Sequence, residues 1–378
     1  MSLRVHGKLI AAAAIATLLA TGCGGGQGSV SSLPAATQNQ YHQNMPSPAG
    51  GGGILKQLKK QVVIGSTIDP IYGQLNPYGL DVAKSTNGDF TKGDLVVCNF
   101  NDNYNVQGTG YTIVALHPTP GSSPSLVTSD PTTLTGCNAL ALGPDDTIYA
   151  AAFTSNDNPI FSSTGSLITN LSGSPFNNPF GQIYAQPKKG NAAVYESNAA
   201  DGSIVRINLP SYNTEVIATG FPVNGGPPGS ILGPSGLQYE PRHDTLYVVD
   251  GDNNSVTAIR KVSSIGSHCM VRVMANGHRF GGACGSKAKV IFSGPPLNGP
   301  ISSALLFNGS LVIGNTLDPS GQNLMIELNP GGHVLDVLNV DTGAGGALFG
   351  MVATGSNAAN TKLYFNDDND NNLQVLER

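Results

Sequence analysis

Apolar and polar positions alternate in short runs along most of this chain. DLVVCNFND at 94–102, YTIVALHP at 111–118 and TLYVVDGD at 245–252 are typical. The runs are rich in β-branched and aromatic residues, and Gly, Pro, Asn and Asp bound them. Period-two alternation between such breakers predicts strands joined by tight turns.

The runs recur as a unit from residue 62 to 378. Each copy opens on Pro or Gly, a small residue and an apolar run. A turn follows, then a second run ending in an Asn/Asp/Gly cluster, then a third. Copies begin at NPYGLDVA (76–83), CNALALGP (137–144), NPFGQIYA (178–185), GPSGLQYE (233–240), GPISSALL (299–306) and LFGMVAT (348–354). Less regular runs between the copies, such as TEVIATG (214–220) and HVLDVLNV (333–340), supply a fourth strand. Four strands in each of six units predict an all-β, six-bladed propeller of four-stranded antiparallel blades. QVVIGST (61–67) has no unit before it, and the sixth unit has no strand after it. The first should therefore pair with 372–377 and close the ring. The widest gap between units, 262–300, leaves a seven-bladed ring as the alternative.

The P-x-G openings at Pro77–Val82, Pro179–Tyr184 and Pro234–Tyr239 carry a resemblance, as do the second strands Leu246–Asp250 and Leu363–Asp367. Together they resemble the NHL-repeat and related six-bladed propellers.

The first residues follow another pattern. Arg4 and Lys8 precede a short apolar run that ends LATGC at Cys23. The run is too short to span a bilayer. The segment resembles a bacterial lipoprotein signal peptide, which implies removal of 1–22 and lipid on Cys23. Gly24 rather than Asp then favours the outer membrane. Residues 23–60 comprise that Cys, a Gly/Ser/Pro-rich tether and all but the last residue of ILKQLKKQ (54–61), expected as a solvated lead-in. The propeller domain is expected over 61–378.

Composition narrows the function. Among 378 residues are 49 Gly and 25 Pro, only 11% are charged, Trp is absent, and the net charge is −5. Long helices and a basic stripe for nucleic acid are both excluded. The membrane is reached only through Cys23, and the ring is expected as a monomer. The four remaining cysteines, in an exported chain, favour disulfides. Cys269–Cys284 would close a local excursion, and Cys98–Cys137 would staple two neighbouring blades, with a buried free thiol at Cys98 the alternative.

No catalytic motif stands out. D-x-D-x-N occurs at Asp250/Asp252/Asn254 and at Asp368/Asp370/Asn372. These oxygens could hold Ca²⁺, but clusters recurring at one place in each repeat read first as hairpin chemistry. Asp81, Asn138, Gln182, Gln238, Ser302 and Met351 are expected to line the channel mouth, around water or a neutral polar ligand. The expected function is a non-catalytic, lipid-anchored envelope module binding a protein, peptide or glycan, with no cofactor. The alternative is a periplasmic hydrolase or lyase resembling the gluconolactonase type, with a divalent cation in the channel.

Overall fold

The computed structural model describes residues 52–378. The signal segment, Cys23 and nearly all of the tether lie outside the described residues. Six antiparallel sheets form the blades. Their inner strands are Leu75–Val82, Cys137–Leu142, Pro179–Ala185, Pro234–Glu240, Pro300–Leu305 and Leu348–Thr354, numbered here as blades 1 to 6. The second strands are Leu95–Asn101, Ile148–Ala152, Ala193–Asn198, Thr245–Asp250, Leu311–Asn315 and Lys362–Asp367. Apolar layers between the blades make up most of the core, as in the cluster of Val96, Ile113, Leu140, Leu142, Ile148 and Phe161 between blades 1 and 2.

The P-x-G opening has a steric cause. Each inner strand packs its backbone on the next inner strand. A β-carbon on Gly79 would meet the Ala139 backbone, on Gly181 the Ser235 carbonyl, on Gly236 the Ile301 carbonyl and on Gly350 the Tyr78 carbonyl. In blade 5 the position is Ser302, whose Oγ donates to the Leu348 carbonyl at 2.7 Å. The strand-pair register slips at this same point, between Pro77 and Leu80 and between Pro179 and Gln182. The bulge bends the strand as it nears the axis.

Ring closure is as expected. Lys60–Ser66 pairs antiparallel with Asn372–Glu377, with Val62 opposite Val375. Lys60 and Lys362 both reach the Glu377 carboxylate, at 2.8 and 3.0 Å. The lead-in differs from expectation. Leu55–Gln57 forms one 3-10 turn, Ile54, Leu55 and Leu58 are buried, and the Leu55 N–H donates to Glu327 at 2.8 Å. Its three apolar side chains outweigh its lysines, which stay exposed, so the packed chain begins before residue 61.

Residues 262–300 hold no seventh blade. Ala288–Ser293 is the fourth strand of blade 4, and Val271–Val273 pairs in parallel with the outer strand of blade 3, extending that sheet. In blade 2 the third strand is Asp157–Phe161 and Leu167–Ser172 is the fourth. Both disulfides form: Cys98–Cys137 joins blades 1 and 2, and Cys269–Cys284 pins the excursion.

Candidate functional site

All six inner strands line a central cavity of about 100 Å³. At the starts of these strands Tyr78, Phe180, Ile301 and Phe349 join Phe100 and Phe153 in one buried layer. Tyr78 stacks on Phe349 at 3.6 Å and on Phe100 at 4.2 Å between centroids. Aromatic rings thus plug that end of the axis. Drug-sized ligands need roughly 300–1,000 Å³. The cavity therefore suits a few waters, a small polar molecule or the end of a larger one.

The six expected channel residues all line this cavity, but at different heights. Asn138 sits level with the plug and Ser302 at the glycine position. Gln182 and Met351 follow, paired with Glu196 and Phe365, and Asp81 and Gln238 lie one step further, paired with Val96 and Tyr247. Most of their polar atoms already bridge blades. Asn138 Nδ2 donates to the Phe180 carbonyl at 2.6 Å, and Gln238 Nε2 to the Ser303 carbonyl at 2.7 Å. Asp81 accepts the Leu142 N–H at 2.8 Å and the Lys84 ammonium at 2.7 Å.

Gln182 leads elsewhere. Its Nε2 donates to Asn158 Oδ1 of blade 2 and, at 3.1 Å, to Glu196 Oε2 on the neighbouring strand. Glu196 is fully buried. Burial pushes its carboxyl up to about 8, although the Gln182 and Asn158 amides beside it favour the ionised form. Glu196 forms no salt bridge among the described residues, and Glu196 Oε1, Gln182 Oε1 and Asn138 Oδ1 have no hydrogen-bond partner there. A buried carboxyl this far shifted, with an unused oxygen and a hydrogen bond to the cavity-lining Gln182, is equipped to give or take a proton near neutrality.

Sequence reasoning passed over Glu196, yet a signal existed. In the other five blades the matching second-strand residue, read from the register, is Val97, Ala150, Val248, Ile313 or Phe365. All five are buried apolar residues. Only blade 3 puts a carboxyl in this layer, so the repeat itself does not account for it.

The Asp/Asn clusters work mostly inside the fold. Asn198 holds the loop before its blade through the Asn177 N–H (3.1 Å) and the Pro175 carbonyl (2.8 Å). Asn315 does the same with Asn298 and Pro296. Of the calcium candidates, Asp250 accepts the Asn253 N–H and Asn254 accepts the Gly299 N–H across blades. Asp252 and Asp370 lie in the same two turns, and Asn372 opens the strand that follows the second. Burial pushes Asp250 and Asp367 up to about 7 and Asp368 well above its ordinary range. Among the described residues, no three His, Cys, Asp or Glu side chains gather closely enough to share a metal ion. In the channel wall Asp81 is engaged, and Glu196, which does not itself line the cavity, stands behind Gln182 among amides. This donor set does not fit a resident divalent cation, which calls for several oxygens with balancing charge.

No family model and no curated protein matches the chain in sequence. Solved structures do match in fold. A gluconolactonase from Xanthomonas campestris is similar at 12% identity and a TM-score of 0.55, covering 84% of this chain and 91% of that one. A catalytically inactive virginiamycin B lyase from Staphylococcus aureus, solved with quinupristin, is similar at 13% identity and a TM-score of 0.51, covering 84% and 98%. At such identities the likeness shows the fold alone. The structural neighbours are propellers of lactonase and lyase type.

Proposed function

We propose that the protein is a hydrolase or lyase acting on a small, neutral, oxygen-rich substrate such as a lactone, with Glu196 as its proton donor. The observation that carries this reading is the uncompensated, buried carboxyl of Glu196 linked through Gln182 to the channel wall. In lactone opening, water adds to the carbonyl, the ring C–O bond breaks, the leaving oxygen takes the proton held by Glu196, and the Glu196 carboxylate so formed takes up the proton that the attacking water gives up. Gln182 orients that carboxyl. The lactonase and lyase propellers of similar fold support this class, and the small cavity limits the substrate or the part of it that enters.

The test is turnover of a panel of lactones and aryl esters by protein treated with a chelator. Activity should fall as pH rises past about 8, where Glu196 loses its proton. Glu196→Gln should lower kcat on the order of 100-fold or more. Absence of turnover across the panel, or turnover indifferent to Glu196→Gln, overturns the reading.

A second reading is a non-catalytic module for a protein, peptide or glycan. The engagement of Asp81, Asn138 and Gln238 in blade-to-blade bonds favours it. Under either reading the proposed setting is the cell envelope, with lipid on Cys23 and the outer membrane favoured. Palmitate incorporation that survives Cys23→Ser would rule that anchor out.

A further inference from the structure

The excursion between the third and fourth strands of blade 4 is not needed to complete any four-stranded blade, although it extends the sheet of blade 3. Blade 3 already has its outer strand, Asn213–Thr219, and blade 4 has its own, Ala288–Ser293. Residues 260–289, which take in the ends of both flanking strands, nevertheless carry a hairpin at their centre, Val271–Val273 paired with Phe280–Gly281. Val271 and Val273 are buried, Phe280 packs against the same cluster, and Cys269–Cys284 ties its two ends.

Its charge is unlike that of the rest of the chain. The segment contains Arg260, Lys261, Arg272, Arg279, Lys287 and Lys289, and neither Asp nor Glu. The whole chain holds 19 Lys and Arg against 24 Asp and Glu, so everything outside the segment is strongly acidic. All six cations but Lys287 are exposed, and none forms a salt bridge among the described residues. The carboxylates bonded to the segment are engaged: Glu215 by Arg206, Asn208 and the Ser267 N–H, and Asp244 by Ser263 and the Tyr239 hydroxyl. Asp252 lies in the turn whose Asn253 approaches Gly277 at the hairpin tip.

The pleat sorts the hairpin into two faces. Val273 and Phe280 are paired and face the core. Arg272 and Met274 flank Val273 and face outward. Arg279 closes the turn opposite Met274, where the Met274 N–H donates to its carbonyl at 2.8 Å. Met274 is 46% exposed. An exposed thioether between two unpaired guanidinium groups, at the tip of a hairpin on the rim, combines a shallow apolar contact with anion recognition.

We infer that this hairpin docks the propeller on an anionic phospholipid surface. Cationic side chains near such a surface gather on phosphate, and an apolar tip between them enters the headgroup layer. A soluble anion would be met by the guanidinium groups alone and would leave Met274 without a role.

The test uses full-length protein carrying Cys23→Ala, so that no acyl chain contributes, with phosphatidylcholine vesicles with or without phosphatidylglycerol. Co-sedimentation is expected only with phosphatidylglycerol, and should fall at least tenfold when salt rises from about 0.05 M to about 0.5 M. Arg272→Glu with Arg279→Glu should abolish it. The milder Arg272→Gln with Arg279→Gln should give an intermediate loss, which a folding defect in the first variant would not predict. Equal binding to neutral vesicles, or binding unchanged in both double variants, overturns the inference. So does retention by an anionic polysaccharide with no vesicle binding.

Discussion

Glu196 is one of five glutamates in the chain, and its surroundings set it apart from the rest. Glu215, Glu240 and Glu377 sit below their ordinary range, each held there by hydrogen bonds that favour its charge. Glu327 is raised by burial, but its carboxylate caps the 3-10 turn through Leu55. Glu196 and Glu327 both combine full burial with an idle oxygen, but only Glu327 is held by a backbone N–H, that of Leu55. The stability effect of Glu196 has a definite sign. Below its unfolded value of 4.5 the group is protonated in both states. Between there and about 8 the unfolded chain releases the proton and the folded chain keeps it. Stability should therefore fall as pH rises through that window, by up to about 1.4 kcal/mol per pH unit. Asp250 and Asp367, raised to about 7, act in the same direction lower in the window. Urea unfolding at a series of pH values should show this slope, shallower in Glu196→Gln; an identical slope in that variant would mean that Glu196 titrates normally. Asp81 and Gln238 were legible as channel residues from their distance past the opening glycine. Glu196 was not, because an alignment of inner strands does not see which second-strand side chain stands behind them.

At the scale of the element, the glycine openings were the strongest signal in the sequence, and the structure gives their cause. Each marks where one inner strand lies backbone to backbone against the next. Gly181→Ala would press a methyl group onto the Ser235 carbonyl, and a backbone atom cannot swing aside. The expected cost is about 1–3 kcal/mol in urea unfolding, the range for an overpacked core. A variant as stable as the parent would contradict this packing. The third and fourth strands were less legible. They sit further from the axis with one side towards solvent, so their alternation is weaker and their turns more varied, as in blade 2. The two cysteine pairs could be read because neighbouring repeats place Cys98 and Cys137 on adjoining blades, and because the excursion holds both Cys269 and Cys284.

At the scale of the whole molecule, ring closure by Lys60–Ser66 was legible because a strand without a unit and a unit without a strand complete each other. The excursion was visible as a gap but not as an extension of blade 3. A parallel pairing of only two residue pairs, Ala218 with Val271 and Thr219 with Arg272, leaves no periodic trace. The ring itself explains the channel: similar repeats build an axis whose one lining carboxylate, Asp81, is already engaged, and one blade departs from the pattern with a buried carboxyl on its second strand. Everything proposed about function turns on that departure. With only five glutamates, selective carbon-13 labelling of their carboxyl groups gives five resonances to follow from pH 3 to 10, roughly the range over which displaced carboxyls titrate. The resonance missing from Glu196→Gln should titrate with a midpoint near 8. A midpoint at the ordinary glutamate value of 4.5 would contradict the account.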